Sequence, residues 1–159
     1  MERASKRVDE SLTEETHILF PRALNNAGRL YGGQLLEWID ELAGIIARRH
    51  SGHEVVTASI DNMDFKAGAY LGDTVYIRGY LTYVGRTSME VRIDSYVEDL
   101  KDGKRRMINS AFFVMVAVGE DGSPVEVPQL LIESVSEQAE WESAKRRMEL
   151  RKHRRKEGF

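Results

Sequence analysis

Cysteine is absent from the 159-residue chain. Its absence excludes disulfides, thiolate zinc sites, iron–sulfur clusters and a cysteine nucleophile together. Long apolar runs are absent as well. A membrane-crossing helix needs roughly 20 consecutive apolar residues, and the longest run here, Ala111–Val118, is strand-sized. No apolar stretch follows Met1-Glu2-Arg3-Ala4-Ser5-Lys6-Arg7, so no signal peptide is expected and the cytoplasm is the default location. A large excess of one charge is also lacking: 23 Lys and Arg stand against 26 Asp and Glu, for a net charge of -3. What is present is an ordinary globular share of apolar residues, 42%, which excludes a disordered chain. The length fits one domain of the usual ~100–200 residues.

The first 14 residues are polar and are expected to form a flexible arm. His17-Ile18-Leu19-Phe20-Pro21 reads as a short strand stopped by proline. Asn25-Asn26-Ala27-Gly28 is a turn signal. A helical pattern then runs from about Gln34 to Arg49. The following segments Val55–Ile60, Thr74–Val84, Thr87–Val97 and Arg106–Val118 are rich in β-branched and aromatic residues. Several alternate with period two, which marks strands. Short Gly- and Asp-containing links between them favour antiparallel neighbours. The order strand, long helix, four strands predicts an α+β fold. A last helix is expected from Glu133 to about Arg155, acidic first and basic last, as the helix dipole favours. The expected organisation is an arm over 1–14, a domain over 15–132 and a charged helix over 133–159.

On a helical wheel, Leu35, Trp38, Ile39, Leu42, Ile45 and Ile46 form the apolar face of the long helix, and Glu37, Glu41 and Arg48 the wet one. Asp40 lies between them, flanked by Leu36, Ala43, Gly44 and Ala47. A carboxylate bordered by small residues has open space above it for a substrate, although a boundary residue without chemical role fits the same pattern. Gly32-Gly33 stands at the helix start, where free N–H groups and the positive end of the dipole gather. Such a site suits an anion or a polarised carbonyl oxygen, and it suits a plain turn equally. Asn25 and Asn26 either cap their own turn or hold a water or a substrate carbonyl.

Taken as one ordered string, Asn25-x-x-Gly28-x-Leu30-x-Gly32-Gly33-x-Leu35-Leu36-x-Trp38-x-Asp40-x-x-Ala43-x-x-x-Ala47-x-x-His50 resembles the opening of the hotdog-fold acyl-CoA thioesterases, in their broad-specificity bacterial and brain-type group. The similarity continues through Asp61-x-Met63-x-Phe65, Gly72-Asp73 and Gly85-Arg86-Thr87-Ser88-Met89. It spans about residues 15–120. The resemblance implies a curved, five-stranded antiparallel sheet wrapped around one central helix. It also implies a homodimer with joined sheets and the active site between protomers, often assembled further into a homohexamer. It casts Asp40 as general base or nucleophile. Asn25 of the opposite protomer places the water and the thioester, and the Gly33 N–H binds the thioester oxygen beside Gly32. One departure is Phe65-Lys66-Ala67-Gly68, where family members often carry Phe-x-x-Pro.

Thioester hydrolysis needs an activated water or nucleophile, a stabilised oxyanion and a leaving thiolate. A carboxylate is a weak base in water, so its setting or its positioning must compensate. For the phosphates and pantetheine arm of coenzyme A, the candidates are Arg86, Thr87, Ser88 and Arg105 within Lys104-Arg105-Arg106; arginine suits phosphate by its forked geometry. His17, His50, His53 and His153 show no metal-ligand spacing, and neither a metal nor a separate cofactor is expected. Residues 144–159 carry eight Lys and Arg against two Glu. Without an aromatic ladder or helix-turn-helix pattern, no nucleic-acid partner is expected from that basic tail. The expected function is hydrolysis of fatty acyl-CoA to free acid and coenzyme A. The alternatives are a non-catalytic acyl-CoA sensor, disfavoured by the lack of a DNA-binding module, and a dehydratase, whose pre-helix histidine is replaced here by Asn25-Asn26.

Overall fold

In the computed structural model, which describes residues 2–159, helix α1 (Gly32–Ser51) is the element around which the rest is built. Leu35, Ile39, Leu42, Ala43, Ile46 and Ala47 recur at helical spacing and all are buried. No side chain caps its first turn, at Tyr31. The last turn carries Arg48, Arg49 and His50, cations placed favourably against the dipole. Gly52 ends the helix at φ +71°, donating its N–H to Arg48 O at 2.8 Å; that left-handed cap favours glycine.

Four long strands follow: β3 (Glu54–Phe65), β4 (Thr74–Val84), β5 (Ser88–Glu98) and β6 (Arg105–Val118). With β2 (Thr13–Ile18) they form a five-stranded antiparallel sheet in the order β2-β4-β5-β6-β3. This is the expected α+β hotdog arrangement. Strand β5 shows its two faces plainly. Met89, Val91 and Ile93 are buried in the core with α1, while Glu90 and Arg92 bond to the C-terminal helix on the other side. Helix and sheet approach closely at Gly79, where an added Cβ would lie 2.7 Å from Ile46 Cδ1.

The second helix, α2 (Val135–Glu157), starts where Ser134 Oγ accepts the Glu137 N–H at 3.1 Å. It covers the outer face of the sheet. Trp141 packs on Tyr83 with ring centroids 4.4 Å apart, and Ala144 is buried. Beyond Ala144 the docking face is made of arginines. Arg147 grips Glu90 with Nη2 2.7 Å from Oε1, and its guanidinium lies 3.7 Å over the Phe112 ring. Arg151 bridges Glu90 Oε2 at 3.0 Å and Asp61 Oδ2 at 3.2 Å, and Arg154 reaches Asp61 Oδ1 at 2.6 Å. Thr82 Oγ1 also donates to Glu90, at 2.7 Å. Both carboxylates are buried, and buried charges persist only when paired and hydrogen-bonded.

Three expectations change. Residues 1–14 do not form a loose arm over their described part. Strand β1 (Ser5–Arg7) pairs in parallel with β7 (Gln129–Leu131), a 3₁₀ turn covers Val8–Ser11, and Thr13 already begins β2. The signal was weak because β1 is polar and short, and its order comes from backbone pairing and from Val8 and Ser11 packing inward. Ile45, assigned to the apolar face of α1, is 42% exposed, and Ala43 and Ala47 take up the buried face instead. The fold brings the sheet onto the small-residue side of the helix. Strand β3 also runs five residues past Ile60, to Phe65. No helix among the described residues is long and apolar enough to cross a membrane.

Candidate active site

Asp40 sits on the third turn of α1, half-buried, on the flank that faces β3. Its Oδ1 accepts a hydrogen bond from Thr57 Oγ1 at 2.8 Å. Thr57 pairs with Met115 of β6, whose side chain is in the core, so this position of β3 faces the helix. Thr57 was not among the sequence candidates. Its signal was a hydroxyl in the strand directly after the helix, too common to single out. Next to Asp40 on the helix surface, Gly44 has no atom within 4 Å of an added Cβ. The space beside the carboxylate is open at Gly44, whereas Ala43 and Ala47 of the same flank are buried under the sheet.

Gly32 and Gly33 are exposed at the first turn of α1. The Tyr31 carbonyl accepts from the N–H groups of Gln34 and Leu35, leaving those of Gly32 and Gly33 as the outward donors. Phe65 of β3 and the Tyr31 ring line this turn, 3.4 Å and 3.2 Å from added Cβ atoms at Gly32 and Gly33. Asn25 stands just before it, in a turn bonded to its own backbone. Its Oδ1 accepts from Ala27 N at 2.9 Å and Arg29 N at 3.1 Å. Its Oδ1 is thereby committed to building the turn.

One chain does not bring these groups together. Gly33 precedes Asp40 by seven residues, about 10 Å along a helix rising 1.5 Å per residue. No thioester carbonyl spans that distance within hydrogen-bonding reach of both.

The coenzyme A candidates separate in the same way. Gly85 to Ser88 form the β4–β5 turn, held by Gly85 N to Ser88 O at 2.8 Å and by Arg3 Nη2 to Gly85 O at 2.8 Å. Arg86 is exposed. Thr87 closes the turn through its carbonyl, which accepts from Ala117 N at 3.0 Å. Ser88 lines a groove of about 500 Å³ on the outer face, with Ala58, Ser59, Arg151 and Arg155, away from Asp40. Arg105 donates to Glu98 at 2.7 Å and covers the Tyr76 ring. It lies ten residues before Met115 on β6, roughly 30 Å along the strand from the level of Thr57. Arg106 caps the Phe65–Gly68 loop instead, with Nη1 3.0 Å from Gly68 O.

His50 is buried and hydrogen-bonded to Pro128 O at 2.8 Å. Burial holds its pKa below the ordinary value, against the opposing pull of that carbonyl and with help from Lys6. It is a neutral structural histidine. Among the described residues no three His, Asp or Glu side chains converge as a metal cage.

The central helix and the sheet order define a hotdog domain. The family model of the Thioesterase superfamily matches residues 27–104. An acyl-CoA thioester hydrolase of Bacillus subtilis, itself uncharacterized, is 37% identical over 147 residues, covering 92% of this chain and 86% of that protein. The chain belongs to the thioesterase superfamily. A crystal structure of an apo-hexameric acyl-CoA thioesterase is 40% identical, with TM-score 0.90 over 95% of this chain and 97% of that one. The acyl-CoA hydrolase of Staphylococcus aureus, solved with butyryl coenzyme A and coenzyme A, is 33% identical, with TM-score 0.91 over 97% and 94%. Structures of that enzyme also exist with an aspartate, an asparagine or a threonine changed to alanine.

Proposed function

We propose that the protein hydrolyses acyl-CoA thioesters, with Asp40 as the reacting carboxylate. The observation that carries this is the Asp40–Thr57 pair beside an open flank. Thr57 fixes Oδ1, and Oδ2 is left for a water or for the substrate carbon. As general base, Asp40 takes a proton from water while the oxygen attacks the thioester carbonyl. The C–S bond then breaks, and the proton passes to the departing coenzyme A sulfur. As nucleophile, Oδ2 attacks the carbonyl carbon, the C–S bond breaks to release the coenzyme A thiolate, and water then hydrolyses the resulting anhydride to the free acid and the Asp40 carboxylate, its released proton being taken up by the thiolate. The variant residues of the S. aureus enzyme are separated by 15 and 17 positions, asparagine first and threonine last. Asn25, Asp40 and Thr57 repeat both the residue types and the spacings.

The 10 Å gap between Gly33 and Asp40 supports a site shared by two chains. The Gly33 N–H and Asn25 Nδ2 of the partner subunit would receive the oxyanion over this chain's Asp40. Preorganised donors of this kind are typically worth about 10²–10³-fold in rate. Strand β3 offers the edge for such pairing. Among the described residues it bonds to β6 alone, and Val56 and Ile60 are exposed along it; open apolar edges invite a second strand. Assembly of such dimers into a hexamer is supported by the hexameric relative. Arg86 is the basic residue of this end of the sheet proposed to meet the coenzyme A phosphates.

Thiol release measured across acyl-CoA lengths, from acetyl to palmitoyl, tests the reaction. Turnover with at least one chain length is expected. Acyl-CoA binding without turnover of any would replace the hydrolase by a sensor.

A further inference from the structure

Thr57 and Asp61 are four residues apart, and in an uninterrupted strand they would face the same side of the sheet. Here they serve opposite sides. Thr57 reaches Asp40 on α1. Asp61, paired with Phe112, is held by Arg151 and Arg154 of α2. The extra step is absorbed at Ala58, where the β3–β6 register shifts between Thr57 and Ser59. A bulge adds one residue and turns the later part of the strand to the other face. A second irregularity lies between Asp61 and Asp64. There Asn62 has φ +50°, and its N–H donates to Asp61 Oδ1 at 3.1 Å. All this happens on the edge strand, which has one neighbour within the chain. A one-residue slip in such a strand would carry Thr57 to the far face.

We propose that Asp61, Arg151 and Arg154 are positioning residues for the reaction at Asp40. By pinning β3 from outside, α2 keeps the bulge at Ala58 and holds Thr57 against the carboxylate. The inference rests on the reading of Asp40 as the reacting group. The pin is well built. The Asp61 side chain is 5% exposed and that of Arg151 is 12% exposed, so their charge-assisted bonds are little screened. Burial pushes the Asp61 carboxyl up, but the bonds from Arg154 and Arg151 outweigh it and keep the group ionised. Arg151 also ties Asp61 to Glu90, which joins the edge strand to the centre of the sheet.

The test uses the full chain with Asp61→Asn, Arg154→Ala and Arg154→Lys, each also in a Thr57→Val background. Steady-state thioester hydrolysis and hydrogen–deuterium exchange of residues 54–61 are read on each. Arg154 is partly exposed and Arg151 still pairs with Asp61 in its absence, so its replacements are expected to fold, which the melting temperature checks. Asp61→Asn and Arg154→Ala are expected to lower kcat about tenfold or more with KM little changed, since small misplacements at a reacting group are costly. Exchange over 54–61 should rise, and Arg154→Lys should recover most of the rate. In the Thr57→Val background Asp61→Asn should lower kcat no further, because residues acting through one contact are not additive. Equal loss in both backgrounds, or an unchanged kcat in Asp61→Asn, overturns the proposal, as does unchanged exchange. If the unmodified protein hydrolyses no thioester, the reaction assignment fails by itself, and exchange over 54–61 still reads whether α2 pins β3.

Discussion

Thr57 Oγ1 donates to Asp40 Oδ1 at 2.8 Å, linking the edge strand of the sheet to the third turn of the central helix. Hydrogen bonds to charged groups are worth about 1.5–3 kcal/mol, so the contact can fix the carboxylate in one rotamer. Thr57→Val keeps the shape and removes the donor. It is expected to lower kcat by about 10–100-fold, the rate equivalent of that energy, with KM within about twofold. Thr57→Ser should retain most of the rate. Steady-state kinetics on one acyl-CoA checks both.

A shared site predicts complementation between defective chains. Asp40→Asn and Asn25→Ala proteins are each expected to be nearly inactive. After subunit exchange about half of the dimers are mixed, with one intact site of two, so about a quarter of wild-type activity should return. Mass spectrometry confirms exchange, and thiol release measures the recovery.

The Arg147–Glu90 pair should dominate the docking of α2. Removing one partner of a buried ion pair costs about 3–5 kcal/mol, and Glu90 is 1% exposed with Arg147 bidentate upon it. Arg151 at 3.0 Å and Thr82 at 2.7 Å still bond to Glu90 when Arg147 is removed, so Arg147→Ala is expected to lose less than that, about 1–3 kcal/mol, in urea unfolding. Adding Glu90→Gln to Arg147→Ala should recover part of it, because the buried carboxylate that has lost one of its two cations is then gone.

His50 sets a pH window for stability. Its folded pKa is depressed by burial, so the unfolded chain takes up its proton first as pH falls. The contribution is complete above the unfolded value of about 6.5. It declines as pH drops below that value toward the folded pKa. The melting temperature should therefore fall as the pH drops below about 6.5 in the wild type, and fall less in His50→Gln. Calorimetry at several pH values measures the difference.

Much of this architecture was legible in the sequence. The apolar repeat of α1, the period-two strands and their Gly- and Asp-rich links reflect local rules, and the ends of β4 fall at Thr74 and Val84 as read. Asp40 stood out because small residues flank it, and of these Gly44 leaves it space while Ala43 and Ala47 lie under the sheet. Two kinds of feature were hidden. Strand β1 is polar, so its order depends on pairing with residues more than 120 positions away. The docking face of α2 is arginine at 147, 151 and 154, which hydropathy reads as solvated until Glu90 and Asp61 are seen beneath it. Thr57 escaped for another reason: it shares the inward face with Val55, as plain alternation predicts, but a threonine in a strand is too common to single out. The bulge at Ala58 instead hid Asp61, which it turns to the outer face.

The central claim is that Asp40 performs the chemistry, and hydrolysis by an Asp40→Asn protein tests it most directly. The substitution preserves size and the Thr57 contact while removing the base. Thiol release from the best acyl-CoA substrate should fall by at least ~100-fold, the usual share of a positioned base, with assembly and coenzyme A binding intact. Hydrolysis at the wild-type rate by a correctly assembled Asp40→Asn protein would contradict the account.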